Sequence, residues 1–577
     1  MNVEEQYQEW LTNPYFDEKT KEELRAIAND TQEIKERFYT ELQFGTAGLR
    51  GIIGAGLNRM NIYTVRKATQ GLANYIKGQN GAEKGVAIAY DSRRMSPEFA
   101  MEAALCLAAN GIKTYVFESL RPTPELSFAV RKLGCIAGIN ITASHNPPEY
   151  NGYKVYWEDG AQITPPHDKG IMNEVGKVTD FVNVQTMDLA KAKEIGLYNI
   201  IGKEIDDAYM AELKKLVIHQ DAIREVGKTL KIVYSPLHGT GNLPVRRVLK
   251  ELGFENVYVV KEQELPDGEF PTVSYPNPES EEAFLLGLQL AREVDADLIL
   301  ATDPDADRLG VYVKDSQSGE YKVLTGNMSG CLLAHYEIGQ RRELYGLPED
   351  GCLIKTIVTS NMADAIAKAN GVKLIEVLTG FKFIGQQILE FEQKQNGTYL
   401  FGFEESYGCL IGTHARDKDA IVATMALCEA AAYYKAQNKT LWDAMLDMYN
   451  TYGYYKDDIQ SITLKGMEGL VKIQGILETL RKEPPVKIGS YDVLRIRDYK
   501  EDTMRDVVSG EVTTTGLPNS NVLYYELTED AWLAVRPSGT EPKVKFYYGV
   551  KGSSLEDADK KSVKLGQEVL MMIKNML

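Results

Sequence analysis

The amino-acid sequence predicts a large protein of the α/β class, and three observations support this prediction. The chain has 577 residues, of which 44% are hydrophobic. This length exceeds what one hydrophobic core accommodates and indicates about three or four domains. Short apolar, β-branched runs alternate with longer helical segments such as "SPEFAMEAALCLAANG" (96–111), a rhythm typical of βαβ units with parallel sheets. Polar loops follow the apolar runs, where ligands bind in open α/β sheets.

Six of these polar loops differ in chemistry, which predicts one cleft assembled from several domains. The loops begin at or near Asp91, Ala143, Pro236, Thr302, Glu404 and Arg536. No low-complexity linker separates the domains, so their boundaries are placed near residues 205, 322 and 450. The expected domains are therefore 1–205, 206–322, 323–450 and 451–577.

The charge of the chain narrows the classes of partner. The 82 acidic and 65 basic residues give a formal net charge of −17, which argues against general affinity for nucleic acid or an anionic membrane surface. The N-terminus lacks an apolar core of the signal-peptide type, and Glu429 interrupts the most apolar helical stretch, 420–434. We therefore expect a cytoplasmic protein that holds any anionic ligand in a local basic pocket.

The six cysteines are scattered along the chain and form no C-x-x-C pair. They are Cys106, Cys135, Cys331, Cys352, Cys409 and Cys428. This distribution is expected for a reduced cytosolic protein, in which cysteines serve as small buried hydrophobic residues.

Three alternating carboxylates indicate a metal site. Asp303, Asp305 and Asp307 follow an apolar strand, and a tight loop can aim them at one point, where a hard divalent cation would offset their repulsion. An EF-hand is excluded because Arg308 and Lys314 stand where that loop needs glycine and glutamate. A solvated acidic turn remains the alternative interpretation.

Ser144 ends another apolar run but lacks the glycines of a nucleophile elbow, so an acyl-transfer serine is poorly supported. A serine that carries a phosphoryl group needs a cation to offset about two negative charges and a nearby group that handles protons. The three aspartates and Lys154 could supply these. The alternative is that Ser144 and its neighbours only shape a turn, and His145 is equally open between packing and proton handling.

Five motifs, in order along the chain, closely resemble those of the α-D-phosphohexomutase superfamily, and within it the phosphoglucomutases. They are FGTAGLRG (44–51), TASHNPPEYNGYK (142–154), DPDADR (303–308), GFEESYG (402–408) and RPSGTEPKVKFYY (536–548). The resemblance covers nearly the whole chain. It implies three related α/β domains with mixed sheets and a smaller C-terminal α+β domain around a central cleft.

The resemblance also implies the ligands and the residues that hold them. Ser144 is expected to be phosphorylated in the resting enzyme, with Mg²⁺ bound by the three aspartates and the phosphoserine. Lys154 is the family-style acid/base group, with His145 and His238 as further candidates. The expected substrate-binding residues are Arg50, His238, Arg308, Lys382, Glu404, Ser406, Arg536, Ser538, Gly539 and Thr540. Glu404 and Ser406 suit sugar hydroxyls, whereas the loop from Arg536 to Thr540 suits a phosphate.

The expected reaction interconverts glucose 1-phosphate and glucose 6-phosphate through glucose 1,6-bisphosphate, which serves as intermediate and activator. Alternatives within the family are a phosphopentomutase, a phosphomannomutase and a sugar-bisphosphate synthase. A metal-dependent sugar phosphatase and an inactive sugar-phosphate binding protein are alternatives outside it. The expected partners are small-molecule sugar phosphates, with no nucleic acid and no membrane, and the protein is expected to be a monomer or a weak oligomer.

Overall fold

The structure, a computed structural model, describes residues 2–45, 48–464, 466–537 and 543–576, apart from the side chains of 466–468 and 470. Within these ranges, no helix has the length and apolar character needed to span a membrane. All six cysteines are buried and none forms a disulfide bond within the described residues, which confirms their predicted packing role.

Helices and strands alternate along most of the described chain. The helices are α1 Val3–Thr12, α2 Glu18–Ala26, α3 Thr31–Phe38, α4 Ile62–Gly78, α5 Ser96–Ala109, α6 Thr123–Leu133, α7 His167–Lys177, α8 Leu189–Glu194, α9 Lys203–Lys214, α10 Gln220–Val226, α11 Asn242–Leu252, α12 Glu281–Val294, α13 Gly326–Tyr345, α14 Met362–Asn370, α15 Phe381–Lys394, α16 Ala420–Lys435, α17 Leu441–Tyr452, α18 Gly466–Lys482 and α19 Leu555–Lys574.

The strands divide into several sheets. They are β1 Gly48–Ile52, β2 Val86–Tyr90, β3 Thr114–Phe117, β4 Ala137–Ile141, β5 Tyr150–Trp157, β6 Tyr198–Ile201, β7 Lys231–Ser235, β8 Asn256–Val259, β9 Leu298–Thr302, β10 Leu309–Lys314, β11 Tyr321–Leu324, β12 Gly351–Thr356, β13 Lys373–Val377, β14 Thr398–Glu404, β15 Gly408–Ile411, β16 Tyr454–Thr463, β17 Lys487–Ile488, β18 Tyr491–Asp498, β19 Thr503–Asp506, β20 Val512–Thr513, β21 Leu523–Leu527, β22 Trp532–Pro537 and β23 Lys543–Gly552.

These elements fall into two compact units. The first unit comprises Met1–Gly326, Phe381–Tyr399 and Ser406–Leu441, and the second comprises Asn327–Gly380, Leu400–Glu405 and Trp442–Leu577. The chain therefore passes between the units several times.

The first sheet of the first unit has the strand order β1–β5–β4–β2–β3–β6. Strands β4, β2, β3 and β6 are parallel to one another. At one edge, β5 is antiparallel to β4, and β1 is antiparallel to β5. Leu72 of α4, Phe99 of α5 and Ile139 of β4 belong to its buried core. Because β4 is central and ends at Ile141, the loop that carries Ser144 begins at the carboxyl edge of the sheet.

Glycine is required where β5 passes the serine loop. A Cβ at Gly152 would lie 2.4 Å from the Thr142 carbonyl oxygen and 3.0 Å from that of Leu49. The backbones therefore approach more closely than a side chain allows. Two residues further along β5, Lys154 pairs in register with Asn140 of β4.

The second sheet of the first unit has the order β11–β10–β9–β7–β8. Strands β7, β8 and β9 are parallel, β10 is antiparallel to β9, and β11 at the edge is antiparallel to β10. All residues of β9 are buried. The acidic loop turns the chain directly from Thr302 at the end of β9 to Leu309 at the start of β10, which pair in register.

The second unit combines α/β and antiparallel structure. Strands β13, β12 and β14 lie side by side in that order, and β12 and β13 are parallel. The C-terminal sheet has the order β16–β23–β22–β21–β18–β19–β20, with antiparallel pairs throughout its described registers. Ile476 of α18 and Leu565 of α19 join Phe546 of β23 in its core. The predicted class, α/β domains with mixed sheets followed by an α+β domain, is confirmed.

Candidate active site

Ser144 lies in a strained turn three residues beyond the end of β4. Its φ of +53° places a non-glycine residue in the left-handed region, and such strain concentrates at functional sites. The backbone N–H of Ser144 donates to Thr142 Oγ1 over 2.8 Å. The hydroxyl donates to Asp303 Oδ2 over 2.7 Å and lies 3.2 Å from His145 Nδ1. The serine predicted from sequence therefore directly contacts the predicted metal loop.

Arg93 donates hydrogen bonds to the backbone of this turn, and the sequence interpretation did not include this residue. Its Nη2 donates to the carbonyl oxygens of Ser144, over 2.6 Å, and of Asn146, while its Nη1 donates to those of Pro147 and Tyr150. The guanidinium side chain has no exposed surface. A planar, always charged donor can satisfy several carbonyl groups at once. Arg93 therefore fixes the backbone that presents Ser144.

The three predicted carboxylates converge, as the alternating spacing predicts. One carboxylate oxygen from each of Asp303, Asp305 and Asp307 lies within 4.8 Å of the others, and all three residues are buried. Burial and the two neighbouring carboxylates raise the pKa of Asp303 well above its usual range, and burial with Asp305 raises that of Asp307. Burial alone would raise the pKa of Asp305, but Lys154 and hydrogen-bond donors hold it below its ordinary value. Burial and mutual repulsion therefore disfavour the simultaneous ionisation of all three carboxyl groups.

The cluster fits a hard divalent cation. Asp305 Oδ1 and Asp307 Oδ1 are buried, and neither accepts a hydrogen bond from the residues described. Buried carboxylate oxygens without donors are costly unless a cation compensates them. Carboxylate oxygens are also the ligands that Mg²⁺ and Ca²⁺ prefer. The donor set therefore supports the metal site predicted from the sequence.

Two lysines neutralise part of this charge. Lys154 Nζ lies 2.8 Å from Asp305 Oδ2 and 3.9 Å from Asp307 Oδ2. Lys418 Nζ lies 3.2 Å from Asp307 Oδ2. Burial would lower the pKa of Lys154, but Asp305 and Asp307 outweigh it and raise the pKa above its ordinary value. Lys154 is therefore an ammonium at neutral pH, and Lys418 is a site residue that the sequence interpretation missed.

Two arginines predicted from the motifs flank the same loop. Arg50 Nη1 donates to Asn146 Oδ1 over 3.2 Å. Arg308 Nη1 donates to Glu279 Oε1, and its Nε lies 3.9 Å from Asp307 Oδ1. Burial, together with Arg308 and Arg50, holds the pKa of His145 well below its usual range. His145 is therefore a neutral imidazole beside the Ser144 hydroxyl at neutral pH.

His238 and Lys382 occupy the same unit but differ in their surroundings. The loop of His238 packs on the acidic loop, because Thr240 N–H donates to the Pro304 carbonyl oxygen over 2.8 Å. The His238 ring itself contacts the Leu265 carbonyl oxygen and the Thr272 hydroxyl, at 3.0 and 3.1 Å. Lys382 lies in the first turn of α15, with its ammonium 5.2 Å from the Phe383 ring centroid.

The second unit brings another set of predicted residues together. Glu404 is buried at the end of β14, and its neighbour Glu405 accepts hydrogen bonds from Thr356 Oγ1 at 3.1 Å and from Thr359 Oγ1 at 3.4 Å. Burial and Glu404 raise the pKa of Glu405 to about 7, while Arg536 opposes this rise. Arg536 is therefore close enough to Glu405 to interact with it electrostatically. Ser406 belongs to the first unit, and Ser538, Gly539 and Thr540 lie outside the described residues.

The raised pKa of Glu405 predicts a pH-dependent stability. Its pKa is about 7 in the folded state against an ordinary 4.5. The folded state therefore binds more protons, and stability falls as pH rises between these values. Glu405→Gln keeps an acceptor for Thr356 and removes the charge. We expect it to gain on the order of 3 kcal/mol relative to the wild type between about pH 4.5 and pH 8.

Urea unfolding midpoints at the two pH values measure this difference, since titrating groups that do not interact with Glu405 cancel between wild type and variant. Glu511→Gln, at an exposed position, is the matched control and is expected to show no such trend. A Glu405→Gln variant whose relative stability is the same at both pH values would contradict the assignment.

Comparison with known proteins places these residues in a family. Four consecutive regions match the domains described for phosphoglucomutase/phosphomannomutase: alpha/beta/alpha domain I over 41–181, domain II over 207–319, domain III over 325–452 and the C-terminal domain over 507–560. The chain is 37% identical to a phosphoglucomutase of Staphylococcus saprophyticus over 556 residues, 96% of each chain. It is 38% identical to that of Staphylococcus aureus strain MRSA252 over 531 residues, 92% of this chain and 93% of the other.

Solved structures share the fold at lower sequence identity. The open form of the exocytosis-sensitive phosphoprotein pp63/parafusin, a phosphoglucomutase from Paramecium, matches with a TM-score of 0.68 at 19% identity and covers 93% of this chain and 95% of its own. A phosphoglucomutase/phosphomannomutase family protein from Burkholderia thailandensis matches with a TM-score of 0.65 at 19% identity, over 92% and 97%. With four domain matches and relatives similar over nearly their full length, the chain belongs to the phosphoglucomutase/phosphomannomutase family of the α-D-phosphohexomutase superfamily.

Proposed function

We propose that the protein is a phosphoglucomutase that interconverts glucose 1-phosphate and glucose 6-phosphate through a phosphoserine enzyme. The observation that carries this proposal is the strained Ser144, whose hydroxyl lies 2.7 Å from Asp303 in a cluster of three buried carboxylates. Full-length similarity to phosphoglucomutases supports it. We also propose that the chain is divided into four domains, with boundaries near residues 205, 322 and 450.

Phosphoryl transfer moves one group between Ser144 and the sugar. In the first half-reaction the P–Oγ bond of phospho-Ser144 breaks, a new P–O bond forms to the free sugar hydroxyl, that hydroxyl loses its proton, and the departing Ser144 Oγ takes up a proton. The product is glucose 1,6-bisphosphate. The bisphosphate then reverses its orientation in the site. In the second half-reaction the Ser144 hydroxyl loses its proton and takes the other phosphoryl group, and the released sugar oxygen is protonated. One serine thus serves both ends of the sugar.

Two residues are proposed to move the protons. The Lys154 ammonium can donate from Nζ to a departing oxygen, and the neutral His145 imidazole can accept at Nδ1, which is 3.2 Å from Ser144 Oγ. His238 has both ring nitrogens in hydrogen bonds, and its proposed contribution is support of the loop that packs on Pro304. A Mg²⁺ ion held by the three aspartates and the phosphoserine would offset the charge of the transferring group.

The remaining predicted residues are proposed to recognise the sugar phosphate. Glu404 and Ser406 bind sugar hydroxyls, while Arg536 and the following loop bind the phosphate that does not react. Arg50, Arg308 and Lys382 supply further positive charge. The small-molecule sugar phosphates are the proposed partners of a cytoplasmic monomer or weak oligomer.

The two recognition loops predict different kinetic changes. Arg536→Ala is expected to raise KM about 10-fold or more for every sugar phosphate, because the lost contact is to phosphate. Glu404→Ala is expected to change kcat/KM according to the hydroxyl pattern of the sugar, since unpaired polar groups discriminate between ligands. The measurement is kcat/KM for glucose, mannose and ribose phosphates in both variants. Sugar preference that changes only in Arg536→Ala would reverse the two assignments.

The proposed activity is tested by assaying purified protein on glucose, mannose and ribose 1-phosphates while measuring 6-phosphate or 5-phosphate product, bisphosphate and inorganic phosphate. We expect glucose 6-phosphate as the main product and no stoichiometric release of inorganic phosphate. Release of inorganic phosphate would indicate a phosphatase. Preference for ribose or mannose phosphate, or accumulation of bisphosphate, would indicate one of the family alternatives.

A further inference from the structure

Two buried hydrogen bonds connect the first sheet to the carboxylate of Asp305. Asn140 of β4 donates from Nδ2 to Thr123 Oγ1 over 2.7 Å, and Thr123 Oγ1 donates to Asp305 Oδ2 over 2.7 Å. The backbone N–H of Thr123 also donates to the Asp305 carbonyl oxygen over 2.9 Å. None of the three residues has exposed surface. The first residue of α6 therefore binds both the side chain and the backbone of Asp305.

The chemistry of these groups fixes the direction of the bonds. The amide nitrogen of Asn140 only donates, and an ionised carboxylate only accepts. Thr123 has a single hydroxyl proton, and because its oxygen accepts from Asn140, that proton is available to Asp305. Asn140 thus sets the orientation of the Thr123 hydroxyl, although it does not touch the aspartate.

The second donor to the same oxygen cannot replace this constraint. Lys154 Nζ also lies 2.8 Å from Asp305 Oδ2, but an ammonium on a flexible stem is a point charge with rotatable donors. Thr123 is branched at Cβ and begins a helix, so its hydroxyl has few orientations. Its bond therefore determines how the Asp305 carboxylate is rotated, and hence where Oδ1, which accepts no hydrogen bond from a described residue, is presented.

We propose that Thr123 and Asn140 are positioning residues that hold the Asp305 carboxylate in one orientation within the aspartate cluster and thereby raise its affinity for a divalent cation. The inference rests on the cation site of the proposed function and adds two residues outside the ligand set. Partners of this kind typically change metal affinity by about 10- to 100-fold. Asn140 lies in β4 and Ser144 lies in the turn that follows β4. The same hydrogen bonds therefore also fix the position of the acidic loop relative to Ser144.

The experiment measures binding of Mn²⁺ alone by electron paramagnetic resonance to purified full-length protein, with the phosphorylation state matched by intact-mass analysis. Thr123→Val keeps the shape and removes the hydroxyl, and its Kd for Mn²⁺ is expected to rise about 10- to 100-fold. Thr123→Ser is expected to restore most of the affinity. Asn140→Leu tests the same series of hydrogen bonds from its other end, and the expected rise in Kd is smaller. This variant provides the test if Thr123→Val does not fold.

Thr114→Val is the matched control. Thr114 is a buried threonine of β3 whose Oγ1 donates to the Leu197 carbonyl oxygen over 2.9 Å. Its replacement by valine therefore removes a buried threonine hydrogen bond elsewhere in the first sheet. We expect its Kd for Mn²⁺ to match that of the wild type. KM for glucose 1-phosphate at saturating Mg²⁺ is expected to be unchanged in Thr123→Val, since the sugar contacts are intact.

The outcomes separate the inference from the proposed function. If the wild type binds no Mn²⁺, the cation site of the proposed function is wrong. If the wild type binds Mn²⁺ and Thr123→Val and Asn140→Leu bind it equally well, the positioning role is wrong. Equal weakening in Thr114→Val would also overturn it, because the effect would then be a general loss of stability.

Discussion

Replacement of Ser144 by alanine is expected to lower kcat by at least ~10⁴-fold, because the proposed mechanism makes its hydroxyl oxygen the atom that accepts and donates the phosphoryl group. The fold should persist, since losing the hydrogen bond to the buried Asp303 carboxylate costs about 1 to 3 kcal/mol, less than the total stability of a typical domain. Intact-mass analysis should find one phosphate on the wild type and none on the variant. The assay is conversion of glucose 1-phosphate to glucose 6-phosphate at saturating Mg²⁺ and bisphosphate.

Ser127→Ala is the matched control for this variant. Ser127 is buried in α6 of the same unit, where its hydroxyl donates to the Gly160 carbonyl oxygen over 2.6 Å and accepts from Arg416 N–H over 2.8 Å. It should therefore lose comparable hydrogen bonds while retaining turnover. Full turnover by Ser144→Ala, or a phosphate retained on it, would refute the phosphoserine mechanism.

Asp305→Asn is expected to lower kcat by at least ~10³-fold, with Mg²⁺ activation largely lost, because it removes the charge of a proposed metal ligand that is also the main partner of Lys154. Chelation by EDTA should silence the wild type reversibly. The measurements are activity against Mg²⁺ concentration and Mn²⁺ binding.

Asp295→Asn provides the control, since its side chain is 74% exposed and its φ of +56° suits asparagine equally well. It should keep wild-type Mg²⁺ activation. Activity of the wild type that is indifferent to chelation would contradict the metal assignment.

The parts of this structure that depend on local patterns could be predicted from the sequence. The helix expected within 96–111 is α5, Ser96–Ala109, and the apolar runs before Asp91 and Asp303 are strands. The convergence of Asp303, Asp305 and Asp307 followed from their alternation after a buried strand. These features follow from burial of apolar residues and from short-range chain geometry.

The contacts made by residues distant in sequence could not be predicted in the same way. Lys418 reaches Asp307 from the start of α16, and no local pattern encodes that approach. A signal was nevertheless present: four successive charged residues, Arg416 to Lys418 and Asp419, precede an apolar helix, and all are buried. Consecutive charges that must be buried need partners.

Arg93 shows the same limit from another direction. Arg93 lies in the polar loop that follows β2, but its four carbonyl acceptors lie more than fifty residues away in the sequence. Hydrogen bonds to backbone carbonyl groups leave no sequence pattern on the accepting residues, because every residue has a carbonyl. The support beneath the serine turn therefore becomes visible only in the folded chain.

Transfer of a labelled phosphoryl group tests the central claim most directly. The protein is first dephosphorylated, as checked by intact-mass analysis, and then incubated with glucose 1,6-bisphosphate labelled in phosphate, and the labelled peptide is located by mass spectrometry. We expect the label on Ser144 alone, and its transfer to the sugar, first as bisphosphate and then as hexose monophosphate, when unlabelled glucose 1-phosphate or glucose 6-phosphate is added. Label on another residue, or its release from Ser144 as inorganic phosphate instead of bisphosphate, would contradict the account.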